Sequence, residues 1–236
     1  MASSNGQYIE ISISDGTTMH AYVVRPEGAG MHPGIMVFQE AFGVNKHIRD
    51  VTRRFAGEGY VAIAPELFHR TGPGFEGTYG DFSVVMPHMQ AITQDALTAD
   101  IKATYDWLIN DPGVNRAAIA STGYCLGGST SYLADAIVPL QASVSYYGGR
   151  ISEMLDKAGD LHGPILMFWG GLDKHIGPEK IQAAETAVRE SGKTYTNVVF
   201  SDADHGFFCD VRPSYNPRAS REAWALTLTF LQDHLG

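Results

Sequence analysis

The stretch Ala118-Ile119-Ala120-Ser121-Thr122-Gly123-Tyr124-Cys125-Leu126-Gly127-Gly128 restricts the fold more than any other part of the chain. A largely apolar run with the character of a buried strand ends in Gly-x-Cys-x-Gly-Gly, and a helix-compatible segment, Ser129 to Val138, follows directly. So abrupt a strand, turn and helix strains the backbone at the apex and leaves almost no room on either side; Gly123 and Gly127 supply that room. The turn carries a thiol at its apex and sets the Leu126 amide at the start of the helix, where unpaired N–H groups and the helix dipole favour negative charge. One turn thus offers a nucleophile, half of an oxyanion hole and a field that favours a thiolate. A buried free cysteine at a glycine-rich crossing would show the same residues, because an isolated cysteine is commonly a small hydrophobe. The remainder of the chain separates the two readings.

Tyr8 to Ile13 alternates and Thr18 to Val24 is strand-like, so Ser14-Asp15-Gly16-Thr17 predicts the turn of an opening hairpin. Pro26 to Pro33 reads as a surface loop, and Gly34 to Phe38 is a continuous apolar run, as in a strand covered on both faces. Lys46 to Glu58 has helical spacing through Ile48, Val51 and Phe55, and Tyr60 to Ala64 is a further buried strand. Pro65 to Phe82 is a long Gly- and Pro-bearing excursion of a kind that is usually functional or mobile. Ala91 to Ile109 reads as one amphipathic helix closed by Asn110-Asp111-Pro112-Gly113. Past the elbow, strands are expected over 142–146, 164–169 and 195–200, and helices over 151–157, 178–191 and 219–234. Strands alternating with helices after an antiparallel start predict an α/β fold: a mostly parallel, doubly wound sheet with helices on both faces and an N-terminal antiparallel hairpin. The 236 residues show no break in composition, so a single domain over 1–236 is expected.

A formal net charge of -9 and the lack of a basic run argue against nucleic acid or an anionic membrane surface as partner. Met1 to Gly6 has neither a basic nor an apolar leader region, and no apolar stretch reaches membrane-spanning length, which predicts a cytoplasmic protein without membrane association. Such a compartment keeps Cys125 and Cys209 reduced. His, Cys and carboxylate side chains do not recur at metal-ligand spacing, so neither metal nor cofactor is expected. Oligomeric state, monomer or homodimer, stays open.

In parallel sheets functional side chains collect at the carboxyl ends of strands, and here those ends carry Glu40, Cys125, Asp173 and His205. The order nucleophile, acid, histidine is that of the α/β-hydrolase fold, with cysteine in the serine position. In that arrangement Cys125 attacks as thiolate, His205 handles the proton, and Asp173 fixes the imidazole tautomer and stabilises its cation. The backbone amides of Leu126 and Ala41 would hold the oxyanion. His175 competes as the histidine, Asp202 and Asp204 compete as the orienting acid, and Glu40 has an alternative role as a helix cap.

Gln39-Glu40-Ala41-Phe42-Gly43-Val44-Asn45, Gly123-Tyr124-Cys125-Leu126-Gly127-Gly128, Tyr146-Tyr147-Gly148, Gly170-Gly171-Leu172-Asp173 and His205-Gly206-Phe207 together resemble dienelactone hydrolases (carboxymethylenebutenolidases) over essentially the whole chain. The resemblance implies a Cys125-His205-Asp173 triad, with Glu40 helping to deprotonate Cys125 as substrate enters. It also implies hydrolysis of an enol lactone, the dienelactone of chlorocatechol degradation, to maleylacetate. A substrate carboxylate calls for arginine. The family carries one shortly after its histidine, whereas here Arg212 stands somewhat further on; Arg70, in the excursion, is the other candidate. Phe42, Tyr147 and Phe207 are candidates for the apolar wall of the substrate site. An open apolar cleft would suit a broader carboxylesterase or thioesterase on a small-molecule ester. A third reading is a non-catalytic ligand-binding or redox-sensing protein on the same fold.

Overall fold

The structure, a computed structural model, describes residues 6–236; the Met1–Asn5 stretch, read above for a leader, lies outside them. Two compact units divide the chain, the first ending at Ala120 and the second spanning Ser121–Gly236.

In the first unit, β1 (Gln7–Ser12) and β2 (Thr18–Val24) form the expected antiparallel hairpin, with Ser12 opposite Thr18. Asp15 sets the turn by accepting from the Thr17 amide at 3.0 Å. β2 runs antiparallel to β4 (Val61–Pro65), and β4 runs parallel to β3 (His32–Phe38). Every residue of β4 is buried, which is why its sequence is apolar without alternation. α1 (Lys46–Gly57) starts where the Asn45 Oδ1 accepts from the Ile48 amide at 3.2 Å, and it buries Ile48, Val51 and Phe55 along one face.

The helix expected over 91–109 is α3 (Gln94–Asn110), which begins three residues later, and a short helix not expected from the sequence, α2 (Met86–Ala91), precedes it. Thr93 makes the break. Its backbone is extended and its hydroxyl accepts from the Ala96 amide at 3.2 Å, so it starts one helix and keeps the preceding one from running through. α2 buries none of its own residues, so no apolar periodicity marks it in the sequence.

β5 (Val114–Tyr124) carries the chain into the second unit, and α4 (Leu126–Ile137) follows Cys125 at once. The helix begins at Leu126, whose amide the turn was expected to set at its start, ahead of the helix-compatible run from Ser129. Gly127 and Gly128 lie within its first turn. A Cβ on Gly128 would stand 2.5 Å from the Tyr146 carbonyl oxygen, and one on Gly123 would collide with the Gly127 carbonyl. β6 (Ala142–Tyr146), β7 (Ile165–Gly170) and β8 (Tyr195–Phe200) are parallel neighbours. The short helix expected over 151–157 is a pair of 3-10 turns, Gly149–Glu153 and Leu155–Asp160. α5 (Pro178–Glu190) and α6 (Pro217–Leu235) complete the unit.

All eight strands belong to one sheet, in the order β1-β2-β4-β3-β5-β6-β7-β8, a mostly parallel α/β sheet with an antiparallel start. Gly170 lies opposite Phe200, so β7 and β8 end side by side and the loops leaving them run together. Among the described residues no helix is long and apolar enough to cross a membrane.

Candidate active site

The site in the second unit grows from the turn at Cys125. Its backbone is held at φ 56° and ψ -110°, outside the regions that residues with a Cβ normally adopt. Three hydrogen bonds impose that conformation: the Cys125 amide donates to Tyr146 O (3.0 Å), and its carbonyl accepts from the Gly128 (3.0 Å) and Ser129 (3.3 Å) amides. A half-buried thiol thus stands at the N-terminus of α4, with Leu126 as the first helical residue.

Asp173 and His205 arrive on the paired loops after β7 and β8. The glycines before the acid allow this approach: a Cβ on Gly170 would lie 2.7 Å from the Ala203 carbonyl oxygen, and one on Gly171 would lie 2.7 Å from the Ser201 Cα. Asp173 Oδ1 accepts from the His175 (2.8 Å) and Ile176 (3.1 Å) amides, leaving Oδ2 to face His205 Nδ1 at 2.7 Å. His205 is in turn hydrogen-bonded to Cys125, so thiol, imidazole and carboxylate form one chain.

The electrostatics follow from the packing. Burial alone would push the His205 imidazolium down, but negative charge at Cys125 and the Asp173 carboxylate outweigh it and raise its pKa to about 10. For Asp173, burial favours the neutral acid; the His205 cation and two backbone donors overcome it and hold the carboxyl below its ordinary range. The competing residues are engaged elsewhere. His175 presents its ring edge-on to His205 at 5.9 Å between centroids, while its neighbouring backbone serves Asp173. Asp202 is paired with Arg218, and Asp204 accepts from the His205 amide at 2.6 Å rather than from the imidazole.

Tyr147 and Phe207 form an aromatic wall beside the imidazole. The Tyr147 ring is 5.1 Å from the His205 ring and 5.3 Å from Phe207, and both side chains are fully buried. The Tyr147 backbone, at φ 41°, is a second strained position in this unit. The Arg212 guanidinium lies over Gly206, in the space that a Cβ there would fill. It therefore sits against the residue that follows His205.

Glu40, Ala41, Phe42 and Arg70 belong to the first unit. Glu40 is fully buried and accepts from the Tyr79 hydroxyl at 2.9 Å; Asn45, not Glu40, caps α1. Ala41 and Phe42 pack with Val85, and Phe42 meets the rings of Tyr79 (4.5 Å) and Phe82 (5.4 Å). Arg70 binds Asp100 through both terminal nitrogens (2.9 Å each) and Asp15 through Nε (2.7 Å). A substrate carboxylate at Arg70 would compete with two protein carboxylates. The sequence reading passed over Tyr79 and Asn45 as functional side chains. An amide residue directly before the periodic run of α1 is a cap signal; for Tyr79 nothing local marks the partner 39 positions away.

A thiol, a carboxylate and an imidazole, in this chain order at the ends of strands in a mostly parallel sheet, form the arrangement of an α/β hydrolase. The pattern of the dienelactone hydrolase family matches residues 19–235, and the chain belongs to that family. It is 35% identical over 235 residues to a protein of Escherichia coli O157:H7 named putative carboxymethylenebutenolidase, covering 94% of this chain and 85% of the other. A protein of the same name from Synechocystis is 34% identical, with 91% of each chain covered. The crystal structure of a putative dienelactone hydrolase from Klebsiella pneumoniae superposes with a TM-score of 0.87 at 34% identity, covering 97% of this chain and 99% of that one. The protein is thus a hydrolase of carboxylic ester bonds, lactones included.

Proposed function

We propose that the protein opens a small enol lactone, dienelactone to maleylacetate, through an acyl-thioester on Cys125. The hydrogen-bonded chain Cys125–His205–Asp173 at a strained turn carries this reading. With Cys125 ionised, His205 keeps its proton up to about pH 10 and stands beside the thiolate as an imidazolium; in this reading the proton the thiol sheds goes to a carboxylate. Glu40 is the carboxylate to which the family resemblance assigns it. The thiolate adds to the lactone carbonyl, and the oxyanion is met by the Leu126 and Ala41 amides. Collapse breaks the ring C–O bond and expels an enolate, which takes the His205 proton and tautomerises to the ketone. Neutral His205 then takes a proton from water, hydroxide cleaves the thioester, and the thiolate is regenerated beside the imidazolium. The product acid releases a proton to solvent, and Glu40 returns its own to Cys125. Arg212, whose guanidinium rests on Gly206, is the candidate cation for the substrate carboxylate, with Tyr147 and Phe207 as the apolar wall.

A broader esterase is the second reading, favoured by the engagement of Arg70 with Asp15 and Asp100, which leaves one fewer arginine for an anionic substrate. The test is the ultraviolet absorbance change with cis- and trans-dienelactone, beside simple aryl esters and a Cys125→Ala control. Dienelactone loss well above the ester rate, abolished in Cys125→Ala, is expected. Ester cleavage without dienelactone turnover selects the second reading, and near-wild-type activity in Cys125→Ala removes Cys125 as nucleophile.

A further inference from the structure

In the first unit a short relay leads from a helix cap to the Glu40 carboxylate, and the direction of each hydrogen bond in it is determined. Asn45 Oδ1 accepts from the Ile48 amide at 3.2 Å, because it caps α1. That fixes the orientation of the side-chain amide, so its Nδ2 is what faces Tyr79, at 3.0 Å from the hydroxyl oxygen. A phenol has one hydrogen. With Asn45 donating to its oxygen, Tyr79 turns that hydrogen to Glu40 Oε2, 2.9 Å away. Oε2 thereby accepts from the phenol, and the carboxylate is held in one orientation at that oxygen.

The relay is firmly seated. The Tyr79 ring packs on Phe42 at 4.5 Å, and the segment leading to it is held by the Gly77 amide donating to Phe42 O (3.0 Å) and by Glu76 paired with Arg49. Phe75 reaches the turn at Gly43, where φ is 79° and any Cβ would strike the Phe75 carbonyl oxygen. Tyr79 thus lies on a stretch with no regular secondary structure whose geometry is nevertheless determined.

We propose that Tyr79 and Asn45 are positioning residues that act through Glu40: they hold its carboxylate in one orientation. This rests on the reading of Glu40 given above. The experiment measures kcat, KM and the alkylation rate of Cys125 at fixed pH for Tyr79→Phe, Asn45→Ser, the double variant and Glu40→Gln. Phenylalanine keeps the ring on Phe42, and serine keeps a cap on α1 while lacking the reach to Tyr79. Tyr79→Phe is expected to lower kcat and the alkylation rate about tenfold, the scale of one hydrogen bond to a charged group, with KM within about twofold. Asn45→Ser should act in the same direction, and the double variant should be no slower than Tyr79→Phe, because both substitutions cut one relay. Multiplying losses in the double variant, or a Tyr79→Phe enzyme equal to wild type while Glu40→Gln is impaired, would overturn the relay. Unimpaired Glu40→Gln would overturn the role given to Glu40, and the relay with it.

Discussion

Two aspartates of the second unit are buried almost equally and behave in opposite ways. Asp173 is 7% exposed and Asp135 0%, and each accepts two backbone amides, from His175 and Ile176 in one case and from His162 and Gly163 in the other. The Asp173 carboxyl is held below its ordinary range, whereas burial pushes the Asp135 carboxyl up to about 6, against its amide donors and the Ser143 hydroxyl. The difference lies in the remaining partner. Asp173 Oδ2 meets an imidazole that carries a proton, whereas Asp135 Oδ2 meets the Ser143 hydroxyl at 2.7 Å, with the His162 charge the smallest of the effects opposing its burial. Hydrogen-bond dipoles soften the burial of a carboxylate, but it takes a cation to reverse it. Asp135 consequently serves to tie α4 to β6 and to the loop before β7, and Asp173 to hold a charged base.

The comparison breaks most sharply at the pair itself. Asp173→Asn removes the carboxylate that holds the His205 tautomer, and kcat should fall by roughly ten-thousandfold with the fold intact, as read by turnover beside circular dichroism. A loss under about tenfold would place the orienting role elsewhere. Ser143→Ala takes a donor from a buried carboxylate, and denaturation at pH 7 should show a loss of about 2 kcal/mol with turnover unchanged. The smallest effect concerns pH. The folded-state pKa of Asp135, about 6, lies above the ordinary 3.8, so between these values the folded protein binds the extra proton. Its contribution therefore improves as pH falls through 6 and worsens as pH rises through it. From pH 7 to pH 5 wild type should gain about 1 kcal/mol relative to Asp135→Asn in parallel denaturation series. Equal slopes would show that Asp135 titrates in its ordinary range.

The sheet and the turn at Cys125 are legible in the chain because they depend on local patterns, namely apolar runs in β3 to β7 and glycines around one cysteine. The meeting of Asp173 with His205 is legible in part, since each follows a strand and the two stand in the right order. What escapes the sequence depends on contacts between distant positions. Arg70 looks available until Asp15 and Asp100, 55 and 30 residues away, are seen to hold it. Gly123 and Gly127 are legible as room for the turn, but the neighbour that needs Gly128 is not: a Cβ there would stand 2.5 Å from the Tyr146 carbonyl oxygen.

The backbone angle at Cys125 bears on how this protein can change over generations. At φ 56° the turn would accept glycine with less strain than any side chain, and a residue held in such a region costs about 1–3 kcal/mol. Stability and the proposed thiol chemistry therefore pull position 125 in opposite directions. A lineage that no longer needed the thiol would find losing it the easier path, and the fold would outlast the activity.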